Sequence, residues 1–182
     1  MEALLLYREG ENRGLMPAVH MRLFRMEKPA EPSAKRSSIM AETPENEFNA
    51  FLDSWKTDPC DAKKVILAYR EQLAATNGVE LSYKCRPGVS YSLRARNRAQ
   101  QLRDFYVMID VVDDDPENRW LSVVFYADLV TDPDEKGDIA PGGLDGEDAY
   151  CFNYDEKDPE MARYIADRIA EGSEAAARPG AK

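Results

Sequence analysis

The sequence predicts an α+β fold, in which an antiparallel sheet of four to five strands packs with two N-terminal helices and one C-terminal helix. Two apolar segments, 104–112 and 119–129, flank an acidic turn and predict a long hairpin. Two helical apolar stripes precede this hairpin, and a third follows it. The 182 residues are enough for one domain with a sizeable core.

Residues 1–39 differ in composition from the rest of the chain. They carry seven Lys/Arg against five Glu, whereas the whole chain has 24 basic and 34 acidic residues. The stretch 28–38 is rich in Pro, Ala, Ser and Lys, a composition that buries little apolar surface. We expect 1–39 to be a disordered extension or a product of an upstream start, with Met40 opening the folded unit. The alternative is a basic arm that docks a partner.

Three helices are predicted from their start signals. Thr43-Pro44, Asp58-Pro59 and Asp158-Pro159 each place a capping side chain before a proline. The apolar residues behind them have helical spacing: Phe48, Phe51, Leu52 and Trp55; Val65, Ile66, Tyr69 and Leu73; Met161, Tyr164, Ile165 and Ile169. The sequence therefore predicts a single domain over 40–171, with 172–182 as a frayed tail.

The first hairpin is predicted around a three-residue loop, Arg86-Pro87-Gly88. Such a loop keeps the apolar residues of both strands on one face, whereas a two-residue loop would separate them. Gly88 then supplies the left-handed backbone that the loop needs. The predicted cross-strand pairs are Cys85 with Val89, Tyr83 with Tyr91, and Leu81 with Leu93.

The long hairpin is predicted to bring Asp113 opposite Arg119 across its turn. Both faces of its strands carry apolar residues, which is typical of central strands. The predicted pairs are Val111 with Leu121, Ile109 with Val123, and Val107 with Phe125. A short fifth strand, 148–154, follows the Gly-rich segment 141–146.

Charge and composition exclude several classes of function. A net charge of -10 repels phosphate backbones, so we expect no nucleic-acid partner. The longest apolar run near the N-terminus, Ala3–Tyr7, is too short for a membrane span, and we expect a cytoplasmic protein without a membrane partner. Cys60, Cys85 and Cys151 form no C-x-x-C motif and are predicted to be reduced core thiols.

Few residues predict catalysis. His20 is the only histidine and lies in the extension, which leaves no histidine relay or catalytic zinc set in the folded unit. The Gly-rich segment 141–146 lacks phosphate-loop spacing, and no cofactor is expected. An enzyme that relies on carboxylates alone is the remaining catalytic alternative.

The acidic turn of the long hairpin is the predicted metal candidate. Its carboxylates, Asp113, Asp114, Asp115 and Glu117, are hard oxygen ligands of the kind that divalent cations prefer. A solvated turn is the favoured interpretation, because charge at a hairpin end keeps the sheet soluble.

The sheet face that carries Tyr106, Asp110, Trp120 and Tyr126 is the predicted partner- or ligand-binding surface. A carboxylate in the middle of a strand is unfavourable unless it is paired or hydrated. Aromatic residues beside a carboxylate are typical of recognition surfaces. The alternative is that a helix covers this face and that Asp110 bonds to Ser122 or an arginine.

The order of the predicted elements is similar to two arrangements, although neither likeness includes a shared motif. One is the frataxin-like arrangement, in which two helices flank an antiparallel sheet and acidic residues meet iron. The other is that of small acidic secretion chaperones, which dimerise and hold a client segment. The leading hypothesis is a non-enzymatic protein-binding, adaptor or chaperone-like protein that engages another protein or a second copy. The alternatives are a weak iron- or calcium-type binding protein and a carboxylate enzyme.

We predict that a chain beginning at Met40 is as stable as the full chain, because no periodic apolar stripe precedes Thr43. Thermal unfolding of both chains tests this. A midpoint lower by more than a few degrees, on the order of 1 kcal/mol for a domain of this size, would show that residues 1–39 stabilise the core.

Overall fold

The computed structural model describes residues 43–182, and the predicted extension 1–39 lies outside them. The described residues form an α+β fold, as the sequence predicts. Their six-stranded antiparallel sheet has the order β1-β2-β3-β4-β6-β5. Three helices pack against it and bury a common apolar core. The helices are α1 (Pro44–Ser54), α2 (Ala62–Ala75) and α3 (Pro159–Ala176); the strands are β1 (Val79–Arg86), β2 (Ser90–Asn97), β3 (Val107–Val112), β4 (Trp120–Tyr126), β5 (Asp138–Leu144) and β6 (Glu147–Tyr154).

Two of the three helix starts confirm the sequence prediction. The Thr43 hydroxyl accepts a hydrogen bond from the Asn46 N–H, and the Asp158 carboxylate accepts from two N–H groups of the first turn of α3. The second start is wrong by several residues, because α2 begins at Ala62 after Asp61, which has a left-handed backbone. Asp58 still satisfies the first turn, since its carboxylate accepts from the N–H groups of Ala62 and Lys63.

The β1–β2 register differs from the prediction by two residues. Cys85 lies opposite Tyr91 rather than Val89, and the other pairs shift with it. The shift keeps every side chain on its predicted face, because side chains alternate with a period of two. The loop is Pro87-Gly88-Val89, and Gly88 has the left-handed backbone that the sequence predicts, with φ of +75°.

The register of the long hairpin is confirmed at all three predicted pairs. The ion pair across its turn is also present, with Arg119 Nε 2.5 Å from Asp113 Oδ1. β3 and β4 are central strands, since β2 pairs with β3 and β6 pairs with β4. The ion pair at the turn and the apolar alternation along the strands therefore indicate the same register.

The sheet contains one strand that the sequence does not predict. β5 occupies the segment that the sequence indicates as a loop, and it pairs with β6 at the edge of the sheet. Pro141 lies in the interruption of that pairing between Ala140 and Leu144. An edge position tolerates proline, because the missing N–H faces away from the neighbouring strand.

The third helix is longer than the sequence indicates. It continues to Ala176, although a frayed tail was predicted from Gly172 onward. Gly172 is buried, and a Cβ there would lie 3.3 Å from side-chain carbons of Phe125 and Val130. A glycine at this position lets α3 approach the sheet closely, so the residue supports packing rather than ending the helix.

We predict that Gly88→Val lowers the free energy of unfolding by about 1–2 kcal/mol, because a β-branched residue resists positive φ. No atom lies within 4 Å of the added Cβ, so the cost is conformational. Gly88→Asn is the matched control and is expected to cost less, since asparagine tolerates the left-handed region. Equal urea midpoints for the valine variant and the wild type would contradict the prediction.

Candidate functional site

The sheet face turned away from the helices has a polar centre. Asp110 lies there between Ser92 on β2 and Ser122 on β4. The Ser92 hydroxyl donates to Asp110 Oδ1, so the carboxylate has a partner on the neighbouring strand that the sequence did not indicate. Asp110 is half-buried, and this hydrogen bond offsets part of the cost of placing a carboxylate in a strand.

Tyr126 lies on the same face but is 1% exposed. Its ring lies between Phe105, 5.8 Å away between ring centroids, and the guanidinium of Arg103, 3.9 Å from the ring centroid. Burial and the Asp145 carboxylate, to which the hydroxyl donates at 3.1 Å, raise the pKa of Tyr126 to about 12. The ring is therefore part of a second, smaller core rather than an accessible contact.

Tyr106 and Trp120 do not join Tyr126 in one exposed surface. Tyr106 is 0% exposed and belongs to the helix-side core, because β3 begins only at Val107 and the strand alternation does not extend back to residue 106. Trp120, the first residue of β4, is half-buried. The structure thus separates the four residues of the predicted surface, and only Asp110 and Trp120 are partly accessible.

The carboxylates of the acidic turn do not converge. Asp113 is buried and pairs with Arg119, whereas Asp115 accepts from the Glu117 N–H and the Asn118 amide. The Asn118 amide, followed by the Glu117 N–H, lowers the pKa of Asp115. Asp114 and Glu117 are exposed. Within residues 43–182, no group of three or more His, Cys, Asp or Glu side chains could hold a metal ion.

Arg103 organises the network beneath Tyr126. Its guanidinium contacts Asp128 at 2.9 Å and Glu147 at 2.6 Å while stacking on the tyrosine ring. Arg103, followed by Lys182, holds the pKa of Glu147 at about 2. These carboxylates are committed to ion pairs, which is typical of a structural network rather than of groups poised for acid–base catalysis near neutral pH.

The three cysteines are not activated nucleophiles. Burial raises the pKa of Cys60, Cys85 and Cys151 in each case, so the thiols stay protonated near neutral pH. All three are free thiols, but of the predicted core positions only Cys60 is buried, whereas Cys85 and Cys151 are half-buried. His20 lies outside the described residues.

A groove between α2 and α3 is a feature that the sequence did not predict. It encloses about 410 Å³. Two long side chains bridge the helices beside it: the Tyr69 hydroxyl donates to the Ala162 carbonyl at 2.8 Å, and the Gln72 amide donates to the Ala166 carbonyl at 2.9 Å. The helices are thus held together by bridging side chains, and their facing surfaces remain partly accessible.

The groove has a largely apolar lining. Small or apolar residues of both helices line its walls, and two buried tyrosines line its base. Burial raises the pKa of both Tyr69 and Tyr154, so their hydroxyls stay neutral. The apolar wall residues are Val65, Ala68, Pro159, Ala162 and Ala166.

The rim of the groove is basic. Among residues 43–182, Lys64, Lys157 and Arg163 lie on it with a single acidic residue, Asp61. Asp61 and Lys157 form an exposed pair at 2.6 Å, which lowers the pKa of Asp61 and raises that of Lys157. Lys64 and Arg163 remain as excess positive charge at the groove of a chain whose net charge is -10.

Comparison with known proteins gives no match: neither a family model, nor a curated protein, nor a solved structure matches the chain. Among residues 43–182, no helix has the length and apolar character needed to cross a bilayer.

The different burial of Tyr126 and Trp120 leads to a prediction about stability. Tyr126→Ala is expected to lower the free energy of unfolding by about 3–5 kcal/mol, because it removes a buried ring between Arg103 and Phe105. Trp120→Ala is the matched comparison and is expected to cost less, since Trp120 is half-buried. Urea unfolding of both variants measures the difference. The prediction is wrong if Trp120→Ala proves the more destabilising change.

Proposed function

We propose that the protein is a non-catalytic binding module whose α2–α3 groove holds a segment of another protein. The bound segment combines apolar residues with acidic ones. The observation that supports this proposal is the groove itself, an apolar cleft between two helices with a basic rim. Amphipathic segments bind such grooves by burying one apolar face and placing polar residues at the edge. The leading hypothesis from the sequence keeps its class, and the proposed binding surface moves from the sheet face to the helices.

Charge supports an acidic occupant. In the part of the chain that the structure describes, three basic residues and one acidic residue line the groove, although acidic residues outnumber basic ones in the whole chain. Carboxylates on a bound segment would meet Lys64 and Arg163 at the rim. Complementary rim charges increase the rate of association and select against partners of the same sign. A basic segment would face repulsion at the groove, whatever its attraction to the rest of the surface.

The alanine-lined walls of the groove also favour a peptide over a rigid apolar surface. Ala68 on α2 and Ala162 and Ala166 on α3 have short side chains, so a neighbouring backbone can approach the helices closely. Larger apolar side chains of the incoming segment then contact Val65 and the base tyrosines. Burying one such side chain contributes about 1.5–3 kcal/mol, so each anchor adds to the affinity of a short segment.

Selection of displayed 12-residue peptides against the full-length protein tests the proposal. The expected peptides combine apolar residues at helical spacing with Asp or Glu. Their affinity is then measured by fluorescence anisotropy against the wild type and two variants. Ala166→Trp fills the groove and is expected to weaken binding at least about tenfold, which corresponds to 1.4 kcal/mol.

The matched control is Ala170→Trp, an equal change at an exposed position of the same helix that does not line the groove. It is expected to bind the peptides as the wild type does. A second comparison is Lys64→Glu combined with Arg163→Glu, which should weaken acidic peptides. Peptides that bind Ala166→Trp at wild-type affinity, or that are consistently basic, would contradict the proposal.

A further inference from the structure

The outer edge of β1 is a regular, unpaired strand edge in the part of the chain that the structure describes. All eight residues of β1 pair without interruption with β2, and no strand of residues 43–182 pairs with the other side. The opposite edge of the sheet differs, because β5 carries Pro141 and an interrupted register. Proline and irregularity protect an edge from pairing with other chains, whereas a long regular edge is a template for it.

The sequence of β1 is complementary to itself in the antiparallel direction. A two-fold axis at Ser82 sets Glu80 opposite Lys84 of a second copy, and Lys84 opposite Glu80 of that copy. All three residues are exposed on the sheet face turned away from the helices. An exposed lysine on an edge strand normally opposes pairing, but here it would meet an opposite charge in both halves of the pair.

The other face of β1 is apolar in the same register. Leu81 lies opposite Tyr83 of the second copy, and Val79 lies opposite Cys85. These four side chains are half-buried against the helix-side core. Pairing would cover part of their remaining surface and would continue the apolar layer from one copy to the next.

A second register, with the axis at Tyr83, is less favourable. It opposes Glu80 to Arg86, whose guanidinium already donates to the Ser90 hydroxyl at 2.6 Å. It also leaves Lys84 opposite Ser82, with no carboxylate. The axis at Ser82 therefore satisfies both charges, whereas the alternative satisfies one and competes with an existing hydrogen bond.

We infer that the protein forms a two-fold dimer in which β1 pairs antiparallel with β1 of a second copy, joining two six-stranded sheets into one. Glu80 also contacts Arg98 of its own chain at 2.8 Å, but both side chains are more than half exposed. A pair so exposed contributes little and leaves Glu80 free to contact Lys84 of the other copy. The inference is independent of the α2–α3 groove.

Analytical ultracentrifugation of the full chain and its charge variants tests the inference. The molar mass measured for the wild type is expected to be twice the chain mass of 20.6 kDa. Lys84→Glu and Glu80→Lys are each expected to be monomeric, since each places like charges opposite one another. An equimolar mixture of these two variants should form a dimer again, because every cross-strand pair is then of opposite charge. The double variant Glu80→Lys with Lys84→Glu should dimerise alone.

Two controls separate this pairing from general charge effects. Lys136→Glu changes the net charge as Lys84→Glu does, but it lies on the exposed segment before β5, near the opposite edge, and should leave the dimer intact. Circular dichroism and thermal melting of each variant verify that the chain folds. A monomeric wild type at about 100 µM, or a mixture of the two single variants that stays monomeric, would overturn the inference. A dimer that survives both single substitutions would overturn it as well.

Discussion

The Asp113–Arg119 ion pair connects two turns of the sheet to the first helix. The Asp113 carboxylate accepts from Arg119 Nε and, at 2.9 Å, from the N–H of Gly88 in the neighbouring β1–β2 loop. The Arg119 guanidinium lies over the rings of Phe51 and Trp55, 5.2 and 5.6 Å from their centroids. Losing one partner of such a buried pair typically costs about 3–5 kcal/mol, because the other charge stays buried without compensation. This contact thus links the β1–β2 loop and α1 to the turn of the central hairpin.

The same pair explains why the long hairpin could be predicted from the sequence. There, apolar alternation and opposite charges across the turn independently indicate one register. The first hairpin offers only alternation, which a shift of two residues leaves unchanged, so its face was predictable and its exact pairing was not. β5 could not be predicted because Pro141 and its neighbouring glycines are typical of loops, and only pairing with β6 makes that segment extended.

The candidate site was less predictable than the fold. Periodicity identifies the residues that face the core, as it does for Ile165 and Ile169, but it does not show where two helices leave a gap. The available signal was the i, i+4 pair Ala162 and Ala166, whose short side chains leave space beside α3. That spacing is equally typical of close helix packing, and only the structure shows that a groove lies between α2 and α3 beside the bridging tyrosine and glutamine. Conversely, Tyr106 does not share a face with Asp110, because it precedes the strand whose alternation was assumed to include it.

The strand order also constrains how the chain can assemble during synthesis. β1 to β4 are neighbours in both sequence and space, so they can pair as each strand leaves the ribosome. β5 emerges next, but within residues 43–182 its only neighbour in the sheet is β6, which follows it in the chain. The 138–144 segment can therefore pair only after residues 147–151 of β6 have followed it, and β6 can then add to β4 with β5 paired to it as a hairpin. We therefore expect β5 and β6 to join the sheet together, after β1 to β4 have paired.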